Sequence, residues 1–136
     1  MLGTFKLEIV TPEGPVYSDH VEMVTLPGVE GEMGIYAMHV PLMTQVVPGE
    51  IRVKRSGEEF LLAVGEGFVE ITGERVSVLT DMAIKAENID EAKAEEARRR
   101  AEARLQEKIS AEDLATVEAA LANASVQLQV KRKLKR

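Results

Sequence analysis

All ten glycines and all five prolines of this chain lie within residues 1–73, while thirteen of its fifteen alanines follow residue 82. Two architectures are therefore written into one polypeptide. Glycine and proline punctuate short strands, since one supplies positive φ and the other a fixed φ for tight turns. Alanine among Glu, Lys and Arg is the composition of helices. The change places a first domain over residues 1–86 and a second over 87–136.

In the first domain, residues 4–11 alternate, with Phe5, Leu7 and Ile9 on one face and Lys6 and Glu8 on the other. Pro12-Glu13-Gly14-Pro15 is a turn. Residues 16–18, 21–26, 41–47, 51–55, 59–64, 68–72 and 75–80 read as further strands. Pro48-Gly49, Ser56-Gly57-Glu58, Gly65-Glu66-Gly67 and Gly73-Glu74 turn or break the chain between them. Short strands at this spacing predict a β-sandwich or barrel of eight to ten strands. Residues 27–41, with Gly28, Gly31 and Gly34 at every third position, read as a loop whose backbone comes close to another surface.

Residues 83–86 read as a transition. Asn88 with Glu91 three residues later predicts a capped helix over 89–108, and Ser110 with Asp113 caps a second helix from about 111 into the tail. Ala94, Ala97, Ala101 and Leu105 form the inward stripe of the first. Leu114, Val117, Leu121, Ala124 and Leu128 form a seam on the second. The short connection makes the pair an antiparallel hairpin. An alanine seam buries little apolar area, at ~25 cal/mol per Å². The hairpin either opens and docks elsewhere or packs on the first domain and stabilises it.

Net charge is −6, with −7 on residues 1–86 and +1 on residues 87–136. An acidic first domain excludes a nucleic-acid footprint. Residues 131–136 hold five basic side chains in six positions, which alone reads as a solvated terminus favourable to a helix C-terminal dipole. Without cysteine there is no disulfide framework and no thiolate chemistry. The N-terminal residues lack the basic start and apolar run of a signal peptide, and no apolar run approaches the ~20 residues of a membrane span. The expectation is a soluble chain that reaches a membrane only through partners.

Chemistry is sparse. His20 and His39 belong to no metal-ligand spacing, and no nucleophile elbow or phosphate-binding lysine loop occurs. Gly65-Glu66-Gly67 lacks the third glycine of a dinucleotide fingerprint, since position 70 is Glu. The residues alone leave two readings, an interaction module with a mobile helical arm or a small-ligand-binding barrel.

Pro27-Gly28-x-x-Gly31-x-x-Gly34-Ile35 is followed by His39-x-Pro41-Leu42, Gly65-x-Gly67-Phe68-Val69-Glu70 and Val76-x-Val78-Leu79-x-Asp81. With the opening Thr11-Pro12-Glu13-Gly14-Pro15-Val16-Tyr17-Ser18, this series resembles the epsilon subunit of F-type ATP synthases over essentially the whole chain. The resemblance implies a ten-stranded β-sandwich followed by a C-terminal antiparallel helical hairpin. It implies a non-catalytic central-stalk subunit that binds the gamma subunit, sits on the c-ring and helps couple ion flow to ATP synthesis. Its place would be peripheral, on the cytoplasmic face of a bacterial inner membrane.

By the same resemblance, Glu32, Met33 and His39 contact the c-ring. The hairpin rises into the alpha/beta catalytic head to inhibit ATP hydrolysis, through a basic surface of Arg98, Arg99, Arg100, Arg104, Lys131 and Arg132 with the rest of the tail. Some family members bind ATP as a regulatory ligand through Ile/Leu-Asp-x-x-Arg-Ala. Here the matching residues are Glu87, Ile89, Asp90, Lys93 and Arg100, with lysine in place of arginine at 93, and Asn123 and Gln127 stand where such members carry further arginines. A lysine lacks the planar fork of arginine, which predicts weak or absent ATP binding. No other cofactor and no metal is expected.

Overall fold

The computed structural model describes residues 3–135; Met1, Leu2 and the Arg136 of the basic tail lie outside the described residues. Ten strands come first: β1 (Phe5–Thr11), β2 (Gly14–Val21), β3 (Met23–Gly28), β4 (Gly31–Tyr36), β5 (Leu42–Val46), β6 (Gly49–Arg55), β7 (Glu58–Val64), β8 (Gly67–Ile71), β9 (Arg75–Thr80) and β10 (Ala83–Lys85). A 3-10 turn (Ala86–Asn88) leads to α1 (Glu91–Leu105) and α2 (Ala111–Leu134).

The strands form one continuous ladder in the order β10-β7-β6-β3-β5-β8-β9-β1-β2, with β4 attached to β3. Pairing is antiparallel except between β1 and β9. The ladder folds over itself, so that β2 meets β6 and β1 meets β10, giving the two layers of a sandwich. Phe5, Leu7 and Ile9 are buried as their alternation requires. They pack with Val24, Leu26, Ile51, Val53, Leu62, Val64, Val69, Ile71, Val76 and Val78 into one core. Ser56 and Gly57, at φ 53° and 79°, close the β6–β7 hairpin with the mirror-image twist that such turns favour.

Residues 27–41 are not a long loop. β3 and β4 form a hairpin with Gly28 opposite Gly31, turning through Val29 and Glu30 alone. Met33 and Ile35 point inward from β4, and Glu32, Gly34 and Tyr36 point outward. The period of two is present, but Gly34 occupies the middle outward place between Glu32 and Tyr36, and the glycine at every third position masks the alternation. Only Gly31, at φ 123°, needs the conformational freedom of its type.

The 83–86 transition is likewise a tenth strand running into the 3-10 turn. The first helix is capped by Asp90, whose carboxylate accepts from the Lys93 amide at 3.1 Å, and not by Asn88. Tertiary packing moves the boundary: Ile89 takes an extended φ,ψ and is buried against Ala63, Ala86, Val126 and Val130. The helix ends at Leu105, short of residue 108, because Gln106 and Glu107 turn back onto the carbonyls of Ala103 and Arg104. Ser110 caps α2 as its sequence predicts, accepting from the Asp113 amide at 3.2 Å.

α2 has two apolar faces. Ala124 and Leu128 are the buried members of the predicted seam, while Val126 and Val130, offset by two positions, join the cluster on β7 and the 3-10 turn. This second contact explains why Leu62, Ala63 and Val64 are all buried: β7 is covered on both faces. The loop end of the hairpin is looser, with Leu114 39% exposed and Val117 and Leu121 half-buried. On α1, Ala94 and Ala101 are buried and Ala97 and Leu105 partly so.

Candidate functional site

Of the three residues matched to the c-ring, Glu32 lies near the β3–β4 turn, opposite Pro27, and its carboxylate pairs with Arg52 at 2.9 Å. Met33 points inward and is partly buried against the core. His39 lies beyond the far end of β4, where its Nδ1 is 2.7 Å from the Val40 carbonyl oxygen. Glu32 and Tyr36 are four strand residues apart, about 13 Å at ~3.3 Å per residue. These residues therefore do not share a loop tip. They are strung along β4, whose only pairing partner among the described residues is β3. The connection after β4 is held by a hydrogen bond from the Met38 amide to the Gly73 carbonyl. Met38 adopts φ 64° and is 80% exposed, a left-handed conformation that costs a non-glycine residue ~1–2 kcal/mol.

The basic residues divide into two groups. On α1, Arg99 and Arg100 are exposed and, among the described residues, pair with Glu95 and Glu96 of their own helix, at 3.8 and 3.6 Å. Arg104 pairs with Glu107. Arg98, less exposed, pairs with Glu95 and approaches Glu102 at 3.8 Å.

The tail of α2 is not a free terminus but a clasp. Lys131 Nζ donates to the carbonyls of Ala86 and Glu87, each at 3.3 Å. Arg132 reaches Glu91 and Glu95 at 3.3 Å each, and Lys135 reaches Glu91 at 2.5 Å. Lys133 reaches Glu50 of β6 at 3.0 Å. Three elements are thus gripped by successive cations, and neither Glu50 nor the α1 glutamates were legible as their partners from sequence spacing.

The clasp has a pH sign. Lys135, then Arg132, holds the Glu91 carboxyl below the usual carboxylate range, and Arg98, with Arg99 and Arg132 behind it, does the same for Glu95. A carboxyl lowered in the folded state stabilises docking fully above its unfolded pKa, about 4.3. That contribution is lost as pH falls through the lowered folded value. A carbonyl-carbon NMR titration is expected to give both glutamates midpoints below the model-peptide value. A Glu91 midpoint at or above it would mean that the clasp does not persist in solution, whereas Glu95, held down first by Arg98 of its own helix, does not decide it.

The residues matched to ATP binding are only partly available. Ile89 is 3% exposed, and the Asp90 carboxylate is spent on its helix cap. The Glu87 carbonyl accepts from Lys131. Lys93 is exposed, and Arg100 lies seven residues further on, about 10 Å along the helix at 1.5 Å per residue. Across on α2, the Asn123 amide faces Asp81 at 3.5 Å, where Gly65 leaves room for both.

A further surface was missed by the sequence reading. Phe68 and Leu79 are each 59% exposed and stand directly opposite one another on β8 and β9. Leu79 is partnered by Val10 on β1, Phe68 by Gln45 on β5, and Met43, 66% exposed, lies two residues along that strand. The stripe crosses four strands on the outer face. Its signal was Phe68 and Leu79 falling out of phase with the buried Val69, Ile71, Val76 and Val78. Exposed apolar side chains gathered on one face of a sheet are the kind of feature that marks an interaction surface.

A sandwich that offers an apolar outer stripe and the unpaired edge of β4, with a helical arm clasped to its side, has the features of an interaction subunit. Residues 4–86 match the model of the ATP synthase delta/epsilon chain beta-sandwich domain, and residues 87–132 match that of its long alpha-helix domain. The chain is 46% identical over 125 residues to the ATP synthase epsilon chain of Herpetosiphon aurantiacus, covering 92% of each. It is 46% identical over 133 residues to that of Dehalococcoides mccartyi, covering 97% of this chain and 95% of the relative.

Among solved structures, a chain of the Euglena gracilis mitochondrial ATP synthase superposes with a TM-score of 0.73 at 26% identity, covering 90% of this chain and 78% of that one. A chain from the Tetrahymena thermophila ATP synthase central stalk and c-ring shares the fold, with a TM-score of 0.65 at 9% identity. The chain belongs to the ATP synthase epsilon family, the non-catalytic subunits of the central stalk.

Proposed function

We propose that the chain is a regulated joint of the rotor, with each surface serving one partner. The outer stripe of Met43, Phe68, Leu79 and Val10 receives the gamma subunit, and it is the observation that carries the proposal. The free edge of β4, with Glu32 near one end and His39 beyond the other, lies along the polar loops of the c-ring, with Met33 behind it supporting the strand. The joint helps pass rotation between ion flow and ATP synthesis. No helix of the described residues is long and apolar enough to cross a membrane, so these contacts would hold the chain at the cytoplasmic face of the bacterial inner membrane.

The same reading makes the hairpin the regulator. Docked, its tail cations are occupied by Glu50, Glu91 and Glu95. Released, Lys131 and Arg132 join Arg98, Arg99, Arg100 and Arg104 as a basic surface for an acidic part of the alpha/beta head, where it inhibits hydrolysis. The committed Asp90 and Asn123 side chains support little or no ATP binding. Calorimetry of the whole subunit is expected to give no micromolar affinity for ATP; such an affinity would overturn that part of the reading.

The partner assignment is tested by affinity capture from detergent-solubilised membranes. The unaltered chain is expected to recover gamma, alpha, beta and c subunits. Phe68→Glu with Leu79→Glu replaces exposed side chains, leaves the core untouched, and is expected to lose about tenfold or more of the capture, as truncating central apolar anchors does. Full capture by the double variant would remove the stripe from the interface.

A further inference from the structure

Arg52 stands between two functions. Its Nη1 lies 2.9 Å from Glu32 Oε2 on one side and 3.2 Å from Glu50 Oε2 on the other. That same Glu50 oxygen takes Lys133 Nζ of α2 at 3.0 Å. One nitrogen and one oxygen are therefore each shared between two partners, in an unbroken line Glu32–Arg52–Glu50–Lys133 from the free edge strand to the last turn of α2. Arg52 and Glu50 sit two apart on β6 and face outward together. Their side chains are 30% and 18% exposed, less open to screening than Glu32 at 62% and Lys133 at 50%.

We propose that this line is a charge relay by which neutralising Glu32 loosens the docked end of α2. While Glu32 holds part of the Arg52 charge, Glu50 keeps enough negative field to hold Lys133. A cationic group that takes Glu32 away leaves Arg52 wholly to Glu50. Glu50 is then satisfied within its own strand, and its hold on Lys133 weakens. The effect is reciprocal: a released α2 frees Glu50 for Arg52 and leaves Glu32 more available to a cation. The physiological meaning rests on the c-ring reading of Glu32, but the relay itself is a property of the isolated chain.

The relay predicts opposite signs for two removals. Glu32→Gln is expected to speed amide exchange in residues 128–134 of the full-length subunit by about two- to fivefold, the scale of a partly exposed ion pair. Arg52→Met removes the competitor for Glu50 and is expected to slow it by a similar factor. In the Arg52→Met background, Glu32→Gln is expected to change nothing. An Arg52 that merely braced the sandwich would give faster exchange when removed.

Should Arg52→Met unfold the sandwich, Glu50→Gln serves as the background: exchange is then fast, and Glu32→Gln adds no more. A silent Glu32→Gln in the otherwise unaltered chain, or the same acceleration in either background, overturns the relay. Capture of c subunits from membranes by Glu32→Gln reads the rotor assignment separately. Retained capture with faster exchange would keep the relay and discard Glu32 as the c-ring contact.

Discussion

Replacing Gly67 by alanine is expected to cost the sandwich about 3 kcal/mol, the upper range for forcing a methyl group into a filled interior. Gly67 opens β8, between Val46 of β5 and Thr80 of β9. A Cβ there would sit 1.9 Å from the Leu79 carbonyl oxygen and 2.7 Å from the Thr80 Cα. Both are backbone atoms of a paired strand, so no side chain can swing aside, and β8 and β9 must separate. The melting temperature is expected to fall by roughly 10–20 °C. An unchanged melting temperature would mean that the β8–β9 pair yields without loss.

Gly65, two residues earlier, makes the contrast that identifies the cause. A Cβ there meets Asp81 Oδ1 at 1.9 Å and Asn123 Oδ1 at 2.6 Å, the mobile ends of two side chains. Gly65→Ala is expected to leave the sandwich nearly as stable while disturbing the contact between Asp81 and Asn123 of α2.

Removing the chain from residue 88 onward is expected to leave a folded sandwich that still enters the complex, and to raise ATP hydrolysis in membranes by about fivefold or more, within the usual span of allosteric couplings. The two apolar clusters give the reason for the first half. The main core draws on strands alone, whereas Ile89, Val126 and Val130 belong to the separate cluster around Ala63 and Ala86. Truncation therefore strips the outer face of β7 and opens no cavity in the core. The docked hairpin forfeits about 1.5–3 kcal/mol per buried aliphatic side chain, which the sandwich does not need for its own packing. The second half follows from the proposed role of the hairpin cations. Unchanged hydrolysis in membranes that retain the truncated chain would refute inhibition by this hairpin.

The sandwich and hairpin were readable because period and composition are local signals. Phe5, Leu7 and Ile9 alternate whether or not anything packs on them, and Ser110 caps its helix with an atom three residues away. β4 was hidden because Gly28, Gly31 and Gly34 at every third position read as a glycine loop, and Gly34 leaves the middle of its outward face without a side chain. The start of α1 depended on Ile89, whose burial against Val126 and Val130 draws the chain out straight before Asp90.

The site suffered more, for a similar reason. Glu32, Arg52, Glu50 and Lys133 come from three separate elements, and Lys133 and Glu50 are 83 residues apart. Nothing in the composition of the tail distinguishes a clasp from a solvated end. The family resemblance assigned Glu32 and His39 to one contact, and the register of β4 shows that a strand's length lies between them.

The lone parallel pairing, β1 with β9, sets an order of events during synthesis. β1 has β2 within reach almost at once, yet its other edge waits for residues 75–79 to be made. At ~5–20 residues per second the wait lasts seconds, and through it β1 presents an open strand edge carrying Phe5, Leu7 and Ile9. The helices are made last, and being built from local contacts they form quickly once they emerge. A nascent chain stalled before residue 75 is therefore the aggregation-prone species, and a chaperone that shields this edge would raise the yield of folded subunit more than one acting on the hairpin.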